Sequence, residues 1–247
     1  MDDVLGIRPQ LPRHETIAAA APLLASFAAH CREVVQLLLT HLEIQLMLDP
    51  GTLLALHRED QPRGDFIALQ HRAAEPTNET IVKNGEHTDF GTLTMLFNWL
   101  GGLQIRDQSQ GTMDNAPWLY VKPVEGACIV NVADSLSKFT NGILKTNIHR
   151  VAQAPATQAA LPRYSLVYFS HPNESALLQP VKGGLVDASI KDEQSSDEAI
   201  TAEDWYIRRS LGDLRGIYTN GGIESRENFD SVRTAKHFAG PIATSVR

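Results

Sequence analysis

"HTDFGTLTML", residues 87–96, sets a histidine and an aspartate two apart, adds a glycine, and runs on into apolar residues. In an extended strand, residues i and i+2 share a face. His87 and Asp89 are therefore expected to point into one interior from a single metal-bearing strand. An imidazole nitrogen beside a carboxylate oxygen suits a first-row divalent metal, and a second imidazole with the remaining positions open suits non-haem Fe(II). A lone pair of this kind also occurs on ordinary strands. The reading turns on whether the chain supplies a third ligand and an anchor for a cosubstrate.

Working outward, it supplies both. His149, in "TNIHRV", opens a later strand-like run and is the candidate third ligand. "RYSLVYF" follows, where Arg163 and Ser165 again share a strand face. A guanidinium offers a fork of donors that matches a carboxylate and keeps its charge. With a hydroxyl beside it, that strand end suits the tail of a dicarboxylate.

The surrounding sequence supports a strand-rich core. "RGDFIAL", "TLTMLFNWL", "GLQIRD", "WLYVKPV", "GACIVNVAD", "HRVAQA" and "RYSLVYFSH" are short β-branched and aromatic runs separated by Gly, Pro, Asn and Asp. "DSLSKFTNG" reads as a short helix or turn between two of them. Upstream, apolar residues from Leu23 to Leu46 recur at steps of three and four, predicting one long helix over 18–47 with Pro22 in its first turn. "DPGTLLALHR" predicts a second, short helix capped by Asp49. Residues 1–15 and the acidic stretch 187–198 read as loops, and "TAEDWYIRRSLG" as a helix with Thr201 as cap and Gly212 near its stop. The expected architecture is α+β: a helical N-terminal segment (1–64), a jelly-roll-like antiparallel core of about eight strands (65–180), and an acidic loop, helix and tail (181–247).

Composition narrows the function. The 247 residues suffice for one sizeable domain. A net charge of −7 and a pI near 5.7 argue against a broad nucleic-acid or anionic-membrane footprint. No apolar stretch reads as a membrane span and no signal-peptide pattern opens the chain. Cys31 and Cys128 form no CxxC motif, so a reducing, cytoplasmic setting is expected.

At this point the sequence resembles the 2-oxoglutarate and Fe(II)-dependent dioxygenases of the isopenicillin-N-synthase-like superfamily. "HTDFGTLTMLF", "LGGLQI", "VKPVEGACIVNVAD", "FTNGILKTNIHRV" and "RYSLVYF" carry the resemblance. It implies a double-stranded β-helix with iron on His87, Asp89 and His149, and 2-oxoglutarate with its distal carboxylate on Arg163 and Ser165. It also implies use of O2, release of succinate and CO2, and oxidation of a C–H bond in a small, secondary-metabolite type of substrate by a monomer or homodimer. Related halogenases have a small residue in place of the carboxylate, so Asp89 favours hydroxylation, desaturation or ring formation. The alternatives are an O2-using oxidase on the same fold without 2-oxoglutarate, and a catalytically silent barrel.

Two departures accompany the resemblance. The chain begins close to the long helix, so the pocket wall built upstream in the family is expected to be incomplete. Where many relatives carry Asn-Tyr-Tyr before the metal strand, ungapped counting puts Gln70, His71 and Arg72. Gln70 or His71 could hydrogen-bond the cosubstrate.

Other residues keep two readings. Gly91 permits a tight backbone beside the metal strand or is a plain turn glycine. Phe97 and Trp99 line the cavity or pack in the core. Asn131 points inward or is a satisfied core amide. Phe169 and His171 face the pocket mouth, and Trp205 and Arg208 lie on a helix that closes the opening or docks a second subunit. His14, His30, His41, His57 and His237 are expected at the surface.

Overall fold

The computed structural model describes residues 14–74, 82–111, 115–190 and 200–209. A short helix α1 (Glu15–Ala19) leads into the long helix α2 (Ala21–Gln45), which carries a proline in its first turn as expected. Its buried residues Ala28, Cys31, Val35, Leu39 and Glu43 step by three and four, the stripe of a helix laid on a core. With 25 residues, α2 is long and apolar enough to cross a membrane by length and composition. The sequence reading missed this because Arg32 and Glu33 interrupt the apolar run. In the fold the stripe packs against the sheet that contains β8, and Phe27 meets Phe97 edge-on at 5.2 Å.

The expected second α-helix is not formed. The segment turns instead, with only a 3-10 turn at Leu54–Leu56. Glu43, buried on α2, holds this turn: its carboxylate accepts from the backbone N–H groups of Gly51, Leu53 and Leu54 at 2.9, 2.6 and 3.1 Å. The anion takes the capping part expected of Asp49, satisfying N–H donors at the start of the segment.

Eight strands follow among the described residues: β1 (Phe66–Arg72), β2 (Val82–His87), β3 (Leu93–Asn98), β4 (Leu103–Arg106), β5 (Trp118–Tyr120), β6 (Ile129–Val132), β7 (His149–Ala152) and β8 (Arg163–Ser170). They form two antiparallel sheets in the orders β1-β8-β3-β6 and β2-β7-β4-β5. Helix α3 (Asp134–Phe139) joins β6 to β7, as expected for "DSLSKFTNG". Helix α4 (Gly184–Ser189) occupies the start of the stretch read as an acidic loop; residues 191–199 lie outside the described residues. Helix α5 spans 202–209, and Thr201 Oγ1 accepts from the Asp204 N–H at 3.1 Å, the expected cap. Its expected stop at Gly212, the tail, His237 and the N-terminal loop through residue 13 also lie outside the described residues.

"HTDFGTLTML" is not one strand. β2 ends at His87 in one sheet and β3 begins at Leu93 in the other, so residues 88–92 cross between the sheets. Gly91 makes the crossing possible. A Cβ there would overlap the carbonyl oxygen of Ser170 on β8. Backbone bonds then hold the crossing: Thr92 N–H donates to Ser170 O at 2.8 Å, and the N–H groups of Asp134 and Ser135 donate to the carbonyls of Asp89 and Gly91 at 2.9 Å each. Tyr168, Phe139, Leu39, Leu53, Leu136 and Val186 are fully buried in the core that supports this end of the molecule.

Candidate metal centre

The register brings the two histidines together. His87, the last residue of β2, is paired with His149, the first residue of β7, and their ring centroids lie 4.2 Å apart. Asp89, two residues into the crossing segment, turns its carboxylate toward both. Its Oδ1 is 3.7 Å from His87 Nε2 and 3.6 Å from His149 Nε2. One ligand atom from each residue lies within 4.8 Å of the others.

Each ring is oriented from behind. His87 Nδ1 contacts the Gly85 carbonyl at 2.8 Å, and His149 Nδ1 contacts the Asn147 carbonyl at 3.2 Å. Because a carbonyl only accepts, Nδ1 carries the proton, and Nε2 keeps its lone pair for a ligand. Burial, followed by the neighbouring His149, pushes the His87 pKa below its ordinary value and favours the neutral ring. Burial of Asp89 would raise its pKa, but His149, His87 and hydrogen bonds from Asn131 and Thr94 outweigh it, holding the carboxyl below its ordinary range. Two imidazoles and one carboxylate on one side of a space are the donor set of a divalent first-row metal with open positions.

The triad lines a cavity of about 370 Å³ between the two sheets. Leu103, Ile105 and Val151 contribute from one sheet, and Thr94, Leu96 and Val167 from the other. Arg163 and Ser165 line the same cavity and are both buried. Arg163 Nε donates to the Gly101 carbonyl at 2.8 Å and Nη1 to Ser165 Oγ at 3.2 Å. Burial lowers the Arg163 pKa, Arg72 lowers it further, and a guanidinium still stays charged.

Several residues are decided only here. Asn131 faces the cavity and donates to Asp89 Oδ2 at 2.9 Å. Gln70 lines the cavity, whereas His71 stacks on Tyr164 at 4.6 Å away from it. Phe169 lines it too; His171 is buried but sits beside Gly91 and outside the cavity. Phe97 packs on Phe27, and Trp99, 78% exposed, neither packs in the core nor lines this cavity. His57, expected at the surface, is buried between the Leu53 carbonyl and Thr92 Oγ1. The supporting cation on α5 is Arg209, not Arg208: its Nη2 lies 3.5 Å from Asp134 Oδ2 and 3.2 Å from Thr88 Oγ1. Trp205 is buried under the Lys138 ammonium, 4.5 Å away, and does not line the cavity. Sequence reasoning missed Thr94, Thr88 and Asp134. An alternating "TLTM" offers a weak signal for the first, and nothing local marks the other two.

The chain is similar to known proteins in sequence and in fold. The profile of the 2OG-Fe(II) oxygenase superfamily matches residues 63–172. A 2-oxoglutarate-dependent dioxygenase of Aspergillus fumigatus is 29% identical over 70% of this chain and 49% of its own. The 2-oxoglutarate-dependent dioxygenase iboH of Amanita muscaria is 33% identical over 70% of this chain and 82% of its own. The chain thus spans about half the length of the first relative and most of the second. A full-length Neurospora crassa protein, solved in complex with alpha-KG, superimposes with a TM-score of 0.69 at 22% identity, covering 83% of this chain and 61% of that one.

Proposed function

Because the chain belongs to the 2OG-Fe(II) oxygenase superfamily, we propose that it is a 2-oxoglutarate-dependent dioxygenase that oxidises a C–H bond of a small organic molecule. The two sheets around one cavity are read as a double-stranded β-helix. The observation that carries the proposal is the placement of Asp89 Oδ1 at 3.7 and 3.6 Å from two Nε2 atoms whose rings are held by carbonyls from behind.

His87, Asp89 and His149 would hold Fe(II). When bound, the iron supplies O2 activation coupled to oxidative decarboxylation of 2-oxoglutarate to succinate and CO2, with the second oxygen atom available to oxidise the substrate. The protein's own contribution is positional. Asn131 occupies Asp89 Oδ2, so that Oδ1 alone is turned toward the imidazoles. Arg163 and Ser165 would hold the distal carboxylate of the cosubstrate, with Arg163 itself fixed by the Gly101 carbonyl. Leu96, Ile129, Val151 and Val167 line the same cavity and keep it apolar, which limits water beside the reacting centre. The names of the Aspergillus and Amanita relatives support the cosubstrate; a secondary-metabolite substrate is the reading that fits a cavity of this size.

The test is the anaerobic visible spectrum of the Fe(II)-loaded protein before and after 2-oxoglutarate, followed by succinate release under air. A new charge-transfer band and 2-oxoglutarate-dependent succinate are expected. Iron binding without a band, with substrate oxidation independent of 2-oxoglutarate, would favour the oxidase. Failure to bind iron would leave a silent barrel.

A further inference from the structure

We propose that Arg72 is a second guanidinium for the anion held by Arg163, and that the pair selects a cosubstrate bearing a carboxylate remote from its reacting end. The inference rests on the oxygenase reading. β1 and β8 pair with Gln70 opposite Ser165 and Arg72 opposite Arg163. Cross-strand partners share a face, and alternate residues of a strand do too. Gln70, Ser165 and Arg163 line the cavity; Arg72 is outside its lining but shares their strand face, directly across from Arg163.

Two like charges at directly opposed positions, roughly 5 Å apart at Cβ, destabilise a sheet unless something lies between them. Among the described residues no carboxylate pairs with either arginine. Arg163 uses Nε on the Gly101 carbonyl and Nη1 on Ser165, leaving Nη2 without a protein acceptor among the described residues. Arg72 is half-buried, and its Nε is shut off from solvent without a hydrogen-bond partner. Arg72 adds to burial in lowering the Arg163 pKa, the direction set by a neighbouring like charge. A carboxylate offers about four acceptor positions, enough for two guanidinium edges and the Ser165 hydroxyl.

The test compares Arg72→Gln and Arg72→Lys with the unaltered protein, loaded with Mn(II), by calorimetric titration. The ligands are 2-oxoglutarate and 2-oxobutanoate, which share the reacting end and differ in the remote carboxylate. Arg72→Gln is expected to weaken 2-oxoglutarate about tenfold, the loss of one charged hydrogen bond, to change 2-oxobutanoate less than about twofold, and to flatten the salt dependence of 2-oxoglutarate binding. Arg72→Lys retains part of the affinity. Without metal or anion, Arg72→Gln is expected to melt no lower than the unaltered protein, because removing the repulsion offsets any lost packing; a merely structural arginine would lower the melting temperature. Equal loss for both oxo acids, or no loss for either, overturns the proposal. Failure of the unaltered protein to bind either oxo acid would overturn the oxygenase reading as well, and is distinguished by needing no variant.

Discussion

Asn131 Nδ2 donates to Asp89 Oδ2 at 2.9 Å, leaving Oδ1 as the oxygen turned toward both imidazoles. The donor sits on β6 and the acceptor on the segment crossing between sheets, so the bond ties the Asp89 carboxylate to the neighbouring strand.

Loss of that bond is expected to weaken metal binding. Asn131→Ala removes one of the two side-chain hydrogen bonds that hold the Asp89 carboxylate and support its anionic form, leaving that from Thr94. Partners of this kind contribute about 10–100-fold in metal affinity. Competition with a chelating indicator checks this, with the melting temperature of the metal-free protein as control for folding.

Arg209 on α5 neutralises the fully buried Asp134, whose own N–H holds the Asp89 carbonyl. Arg209→Met is expected to leave Asp134 with only Lys138 and the Thr88 hydroxyl to support its charge, and to destabilise the protein by up to about 3 kcal/mol. Chemical denaturation measures this. Burial already raises the Asp134 pKa to about 6. Without the cation it should rise further, so part of the lost stability should return as pH is lowered toward 5.

Gly91→Ala places a methyl group against the Ser170 carbonyl, where only backbone can yield. The crossing segment must then move, and Asp89 with it. A loss of about 2 kcal/mol or more is expected, together with weaker metal loading in whatever fraction folds, read by calorimetry and by metal content after gel filtration.

His57 links pH to stability. Burial, opposed by weaker favourable contacts, lowers its pKa to about 4 from an ordinary 6.5. The folded ring stays neutral down to about pH 4, while the unfolded ring takes up a proton below 6.5. Stability is therefore unaffected above about pH 6.5 and falls as pH drops through the window to 4, by at most roughly 3 kcal/mol. His57→Gln should remove that component. The difference in melting temperature between the two proteins, measured from pH 7 to 4, is expected to shrink as pH falls.

Much of the site was legible because its elements follow local rules. The strand runs, the long helix, the Thr201 cap and the short helix after β6 all come from periodicity and capping, which depend on neighbours in sequence. The spacing of His87, Asp89, His149, Arg163 and Ser165 carried the chemistry for the same reason, since a ligand set must be written into residue types. His87 and Asp89 do not share a strand; they converge because the chain leaves one sheet between them.

What sequence could not carry was everything set by partners distant in the chain. Glu43, a residue of ordinary helix propensity, becomes the cap of the turn that follows α2 in place of Asp49, because folding buries its carboxylate beneath three backbone N–H groups. His57 leaves the surface because Thr92 meets it inside. Arg209 rather than Arg208 supports the site because α5 turns that side inward. The sequence by itself determined which residues could bind a metal and a carboxylate, since donor atoms and charge are properties of each side chain. Only the tertiary structure decided that Asp89 stands between two histidines and that Arg72 stands opposite Arg163, because strand register is a relation between segments far apart along the chain.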